Sequence, residues 1–216
     1  VAPGWNLIGS VNDPLHWGSI RTVPVGIITS LPFAYDGAYV VADSIIPARG
    51  YWVKSNGPGT VLLSAGPSSG RAAPAAEDLE RRYTSLTFTD ASGRSGRLYI
   101  ADESPGTDLI SRYEMPPVPP QGAFDVRFES RSMVESPARH SSRRVGVLIS
   151  SARYPVTVAW KLSSGPQALA LEFGGSSIPL DGAGSAVIPS RVPVCIVATA
   201  APPGTPEGYV LEQNTP

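Results

Sequence analysis

Nucleophiles, acids and imidazoles are few in this chain, and their spacing is the first guide to its chemistry. Gly66-Pro67-Ser68-Ser69-Gly70 has the G-x-S-x-G form of a hydrolase nucleophile elbow. Such an elbow needs a strand before the serine, a helix after it, and acid and histidine partners from an α/β sheet. Here it lies among Gly, Ser, Pro and Ala, the composition of a linker, and it is read as one. The two histidines, His16 in DPLHWGS and His140 in PARHSSRR, sit in turn-like segments without metal-ligand spacing to each other or to a cysteine. The one cysteine, Cys195, excludes an internal disulfide. Its run, VPVCIVATA, suits a small buried hydrophobe. No phosphate loop, dinucleotide fingerprint or paired-cysteine zinc pattern occurs. Nothing supplies base, nucleophile and orienter at recognisable spacing, so the expectation is a protein that is not an enzyme.

Binding chemistry has two further sources. Calcium takes about six to eight oxygen ligands. Acidic loops occur at Asp90 in TDASGRSG, at Asp181 in LDGAGS, and at Asp102, Glu103 and Asp108 in ADESPGTD. The last is the richest and makes Asp102, Glu103 and Asp108 the candidate calcium ligands; no other cofactor is expected. Aromatic platforms hold sugars in many β-sandwiches, and Trp5, Trp17, Tyr35, Tyr39, Tyr51 and Trp52 crowd the first quarter of the chain. Their bland role is to enlarge a small core, since each ring buries a large area. Tyr51 and Trp52 are adjacent, so on a strand they point to opposite faces. Trp17, Tyr51 and Trp52 are the candidate ligand-binding residues.

The elements that must position these residues are strands. The 22 glycines and 23 prolines make up about a fifth of the 216 residues and leave little room for long helices. Between them lie short runs rich in β-branched and aromatic residues, among them WNLIGSV, GYWVKS, SLTFTD, FDVRFES, VTVAWKL and ALALEFG. Short strands at this spacing, with turn formers between, predict an all-β protein of antiparallel sheets, a sandwich or barrel. In VTVAWKL, Val156, Val158, Trp160 and Leu162 share a face opposite Thr157, Ala159 and Lys161. In FDVRFES, Phe124, Val126 and Phe128 face one way and Asp125, Arg127 and Glu129 the other. Alternation of this kind predicts one buried and one wet face.

A short helix is predicted within residues 72 to 83, where acids precede arginines as the helix dipole favours. It follows the linker-like SAGPSSGRAAP. The expected organisation is therefore a small aromatic-rich β module over 1–66, a linker with a short helix over 67–81, and a β-sandwich over 82–216. A disulfide-free core of about 65 residues is small, and the first unit is expected to pack on the second.

Composition narrows the partners. The formal net charge is −1 and charged residues make up 16% of the chain, which gives no electrostatic footprint for nucleic acid or an anionic membrane surface. No run of about 18 apolar residues is present, so no membrane span is expected. Hydrophobic residues make up 42%, enough for a sizeable core.

Three stretches carry a resemblance. GWNLIGSV, with Gly4, Trp5 and Asn6, and IIPARGYWVKS, with Pro47, Gly50, Tyr51 and Trp52, resemble a small β module of bacterial secreted proteins. The segment from Tyr113 and Glu114 through Pro116, Pro117, Pro119 and Pro120 to Phe124, Asp125, Arg127 and Phe128 is similar to a tyrosine-acid-proline-proline element found in the same setting. YVLEQNTP resembles the lead-in to a type IX secretion sorting domain, matching at Leu211, Gln213, Asn214 and Pro216. Asp43-Ser44-Ile45 resembles the pattern that such Bacteroidetes-like bacteria O-glycosylate, with Ser44 as acceptor. The resemblance implies the C-terminal region of an exported or cell-surface protein, handled by a secretion machinery and trimmed of its sorting domain. The functional expectation is a non-catalytic structural, adhesive or assembly module facing other surface or matrix components. The alternatives are a self-assembling fibre subunit that uses edge or terminal strands, and a carbohydrate-binding module.

Overall fold

The computed structural model describes residues 1–10, 12–63, 76–101, 111–137, 143–163 and 168–199. It is all-β, with little helix among the described residues. The first unit contains β1 (Gly4–Ile8), β2 (Leu15–His16), β3 (Arg21–Val23), β4 (Phe33–Tyr35), β5 (Tyr39–Val41), β6 (Ser44–Ile45), β7 (Tyr51–Ser55) and β8 (Thr60–Leu62). A four-stranded sheet in the order β1-β7-β4-β5 is accompanied by two ribbons, β2-β6 and β3-β8. All its ladders are antiparallel.

The helix α1 (Ala76–Arg82) then leads into the larger unit. It lies within the span that the acid-before-arginine pattern marks, and it buries Leu79 in the core. The linker-like residues before it, with the G-x-S-x-G match, lie outside the described residues.

The larger unit comprises β9 (Thr84–Asp90), β10 (Ser95–Ile100), β11 (Asp125–Phe128), β12 (Val134–Glu135), β13 (Arg144–Ser150), β14 (Val156–Lys161), β15 (Ala168–Phe173), β16 (Ser176–Leu180), β17 (Ala183–Ile188) and β18 (Val194–Thr199). Two five-stranded sheets form, in the orders β12-β10-β9-β14-β17 and β11-β13-β18-β15-β16. Among the described ladders of this unit only β10–β12 is parallel. One continuous core joins the sheets in a β-sandwich-like arrangement, with Phe88, Leu98, Val156 and Val158 from the first sheet and Phe128, Val147, Leu171 and Ile196 from the second. In β14 the expected alternation is present, with Val156, Val158 and Trp160 buried and Thr157, Ala159 and Lys161 exposed.

The first unit does not have a core of its own size. Leu31, Phe33, Ala38 and Tyr39 belong to the sandwich core, and only the small cluster of Ala34, Ile45 and Tyr51 is separate. Trp5, Phe33, Tyr39 and Tyr35 form an edge-to-face series at centroid separations of 6.2, 6.5 and 5.4 Å. Burying a ring such as Phe33 contributes about 1.5–3 kcal/mol, which a unit of this length otherwise lacks.

One strand departs from its pattern. Asp125 and Arg127, expected on a wet face of β11, are 1% and 2% exposed. Their face is covered by the proline-rich segment and by the small unit, a contact between residues distant in sequence. Alternation within a strand reports only its own periodicity, so the second cover was not visible in it.

Candidate functional site

The seam between the two units is built on the segment from Tyr113 to Phe128, where the small unit meets the buried Asp125–Arg127 pair. Prolines at 116, 117, 119 and 120 have no N–H, so this segment cannot join a central ladder. Its carbonyls still need donors. Arg127 supplies one: its Nη1 donates to Pro116 O at 2.8 Å, while Nε and Nη2 bind the Asp125 carboxylate at 2.6 and 2.9 Å. Every charge buried here is thus paired and hydrogen-bonded, the condition under which a buried ion pair is tolerated. The Arg127 guanidinium also lies 5.9 Å from the Tyr39 ring centre.

From the small unit, Tyr39 donates its hydroxyl to Pro117 O at 2.9 Å, and Tyr35 donates to Phe124 O at 3.0 Å. Burial raises the pKa of both hydroxyls, opposed by Arg127 at Tyr39 and by Arg94 at Tyr35. They remain donors across the physiological range. Lys54 of β7 binds Glu114 at 2.5 Å in a half-buried pair. Leu31 N donates to Arg112 O. Tyr113 is enclosed in the core, where burial pushes its hydroxyl up to about 12.

A second hub closes the same end of the sandwich. The Asp90 carboxylate accepts from Ser92 N and Oγ, from Arg94 N, Nε and Nη2, and from Arg153 N. Burial alone would raise its pKa, but the bonds from Arg153, Ser92 and Arg94 prevail and hold it well below the usual carboxylate range. Arg94 passes the connection on, donating to Gly122 O and Ser151 O. The loop after PPVPP is thereby fixed to the β9–β10 turn. Asp90 was one of several acidic loop residues in the sequence, and half of its donors are backbone N–H groups that no spacing rule reveals.

The aromatic candidates separate. Tyr51 is buried, with its hydroxyl accepting from Ile46 N, and serves the small core. Trp52 is half-buried on the opposite face of β7 and packs on the main core. Trp17 opens a 3-10 turn, Trp17–Ser19, and its N–H donates to Asp43 O at 2.7 Å. It lines an open depression of about 500 Å³ with Ile20, Val23, Val25, Ile28 and Leu62. Neither Tyr51 nor Trp52 lines that depression, so the three do not form one platform. Ser44 is half-buried in β6 opposite His16 of β2.

Cys195 is half-buried rather than enclosed. Alternation along β18 buries Val194 and Ile196 and turns Cys195 to the outer face. There Arg144 Nη2 lies 3.0 Å from its sulfur and 2.6 Å from Glu172. Burial raises the thiol's pKa despite the neighbouring Arg144. Asp102, Glu103, Asp108, His140 and the segment with Leu211, Gln213, Asn214 and Pro216 lie outside the described residues. Among the described residues no three His, Cys, Asp or Glu side chains converge as metal ligands, and no helix is long and apolar enough to cross a membrane. A scan against protein-family models finds no match to this chain, and searches of curated proteins and of solved structures find none either.

Proposed function

We propose that this chain is a non-catalytic structural module of an exported protein at the bacterial cell surface, in which a small aromatic-rich unit is held at fixed orientation on a β-sandwich. The observation that carries the reading is the seam. Its buried Asp125–Arg127 pair, the Tyr35 and Tyr39 hydroxyls and the Lys54–Glu114 pair all close on one proline-rich segment. Such an arrangement supports rigidity between units rather than the opening and closing of a cleft. A module of this kind transmits position between what precedes it and what it touches, with surface or matrix components as partners.

Surface exposure is the direct test. Antibodies raised against the sandwich should label intact cells producing the natural full-length protein, and external protease should remove the signal. Labelling that requires permeabilised cells would overturn the reading.

A further inference from the structure

Among the described residues the three larger sheets have six edges, and all but one carry a recognisable guard. An unprotected edge strand presents free N–H and C=O groups to any other strand. At β1, the Asn6 amide donates to Ala2 O and Gly4 O and accepts from Ala2 N, folding the N-terminal residues along the strand. β16 contains Pro179. β11 is buried along its whole length, and the two-residue β12 is flanked by the bonds of Met133 N to Tyr113 O and Met115 N to Arg131 O. β5 has three residues and abuts β10.

β17 has none of these. Its sequence AGSAVI is six residues without charge or proline, and among the described residues no strand pairs with its outer side. Its polarity of bonding can be read from the ladder with β14. Leu162 N donates to Gly182 O, and the register runs from Lys161↔Ala183 to Val156↔Ile188. Hydrogen-bonded pairs alternate in an antiparallel ladder. Gly182, Gly184, Ala186 and Ile188 therefore bond inward to β14, while Ala183, Ser185 and Val187 aim their N–H and C=O groups outward.

We propose that β17 pairs with β17 of a second copy of this chain, antiparallel about a two-fold axis at Ser185. The outward groups then match without remainder. Ala183 faces Val187 of the second copy, Ser185 faces Ser185, and about six hydrogen bonds form. A two-fold contact is isologous, so the same strand serves on both sides and the assembly closes as a dimer. The side chains agree with this register, because Ala183, Ser185 and Val187 are exposed and uncharged, with Val187 at 54%. An apolar pair and a hydroxyl pair lie opposite each other, with no like charges opposed.

The flanks select the direction. Asp181 precedes the strand and Arg191 follows it; both are exposed, and neither engages in an ion pair among the described residues. Antiparallel pairing brings the acidic end of one copy to the basic end of the other, whereas parallel pairing sets like charges together. Charge complementarity thus favours a second copy over an unrelated strand. The inference stands on the sandwich and is independent of where the protein resides.

The test is the solution mass of the full chain over a concentration series, by light scattering and sedimentation. A dimer is expected. V187K, which places a lysine on the exposed face of the edge, should raise its dissociation constant at least tenfold while melting like the wild type at concentrations where both are monomeric. S185C in a Cys195→Ser background should cross-link as a dimer on oxidation, since facing Cα atoms about 5.5 Å apart suit a disulfide. D181R should weaken the dimer and D181R with R191D should restore it. A monomer at every concentration overturns the proposal. So does open-ended filament growth, or a dimer indifferent to V187K in which S185C does not cross-link.

Discussion

Asp90 shows how much one buried carboxylate can organise. It gathers donors from its own turn and from Arg153 across the sheet, and its side chain has no exposed surface. Its folded pKa is depressed below the unfolded value of about 3.9. The sign follows from that direction: the ionised form stabilises the fold fully above about pH 4, and the contribution is lost as pH falls through the folded pKa. Asp90→Asn should therefore flatten the acid limb of the stability curve while lowering stability at pH 7 by about 3 kcal/mol, the scale for breaking a buried charge pair. Urea melts between pH 2 and 7 check both effects, and a variant that keeps the wild-type acid dependence would refute the assignment.

Among the elements, β10 is where the two units approach most closely. A Cβ added at Gly96 would lie 2.5 Å from Val126 Cγ1 and 3.2 Å from Ala38 Cβ, atoms of the sandwich and of the small unit. Neither neighbour is the free end of a flexible side chain. Gly96→Ala should cost about 1–3 kcal/mol as overpacking. Gly93→Ala, with nothing within 4 Å but a φ of +83°, separates that packing effect from backbone strain in the same hairpin. Comparable urea midpoints for wild type and Gly96→Ala would show that the seam yields.

How far the elements could be read in advance depends on what covers them. β14 was legible because one face is core and the other water, so its alternation states its whole environment. β11 was half legible: Val126 and Phe128 point inward as their period requires, but Arg127 is buried by Pro116, eleven residues earlier in the chain. Cys195 shows the reverse case, since the period that buries Val194 and Ile196 already turned it outward, while the apolar run around it suggested otherwise. Of the candidate site, Glu114, Asp125 and Arg127 stood within the quoted proline-rich stretch, yet Lys54, Tyr35 and Tyr39 meet them only through tertiary packing.

For the molecule as a whole, a core shared between units implies that the small unit depends on the sandwich for its stability. Leu31, Phe33, Ala38 and Tyr39 would be exposed if the small unit detached, and the Asp125–Arg127 pair would lose its cover. Equilibrium unfolding should consequently be a single transition. Trp5, Trp17 and Trp52 report on the small unit and Trp160 on the sandwich, so a variant keeping Trp160 alone and one lacking it should give coincident midpoints. Two separated transitions would show that the units are independent domains.

The PPVPP stretch of this junction is nearly silent to the usual probe of local opening. Amide hydrogen exchange reads N–H groups, and four of the five residues of PPVPP have none. Within that stretch the Pro117 carbonyl accepts the Tyr39 hydroxyl of the small unit, while Arg127 braces the Pro116 carbonyl from the sandwich side. An exchange map would pass over the proline stretch and read the joint chiefly through the Leu31 amide bonded to Arg112 O. The breathing of the stretch itself is written in the Arg127 guanidinium and the Tyr39 hydroxyl, whose resonances are the place to listen for it.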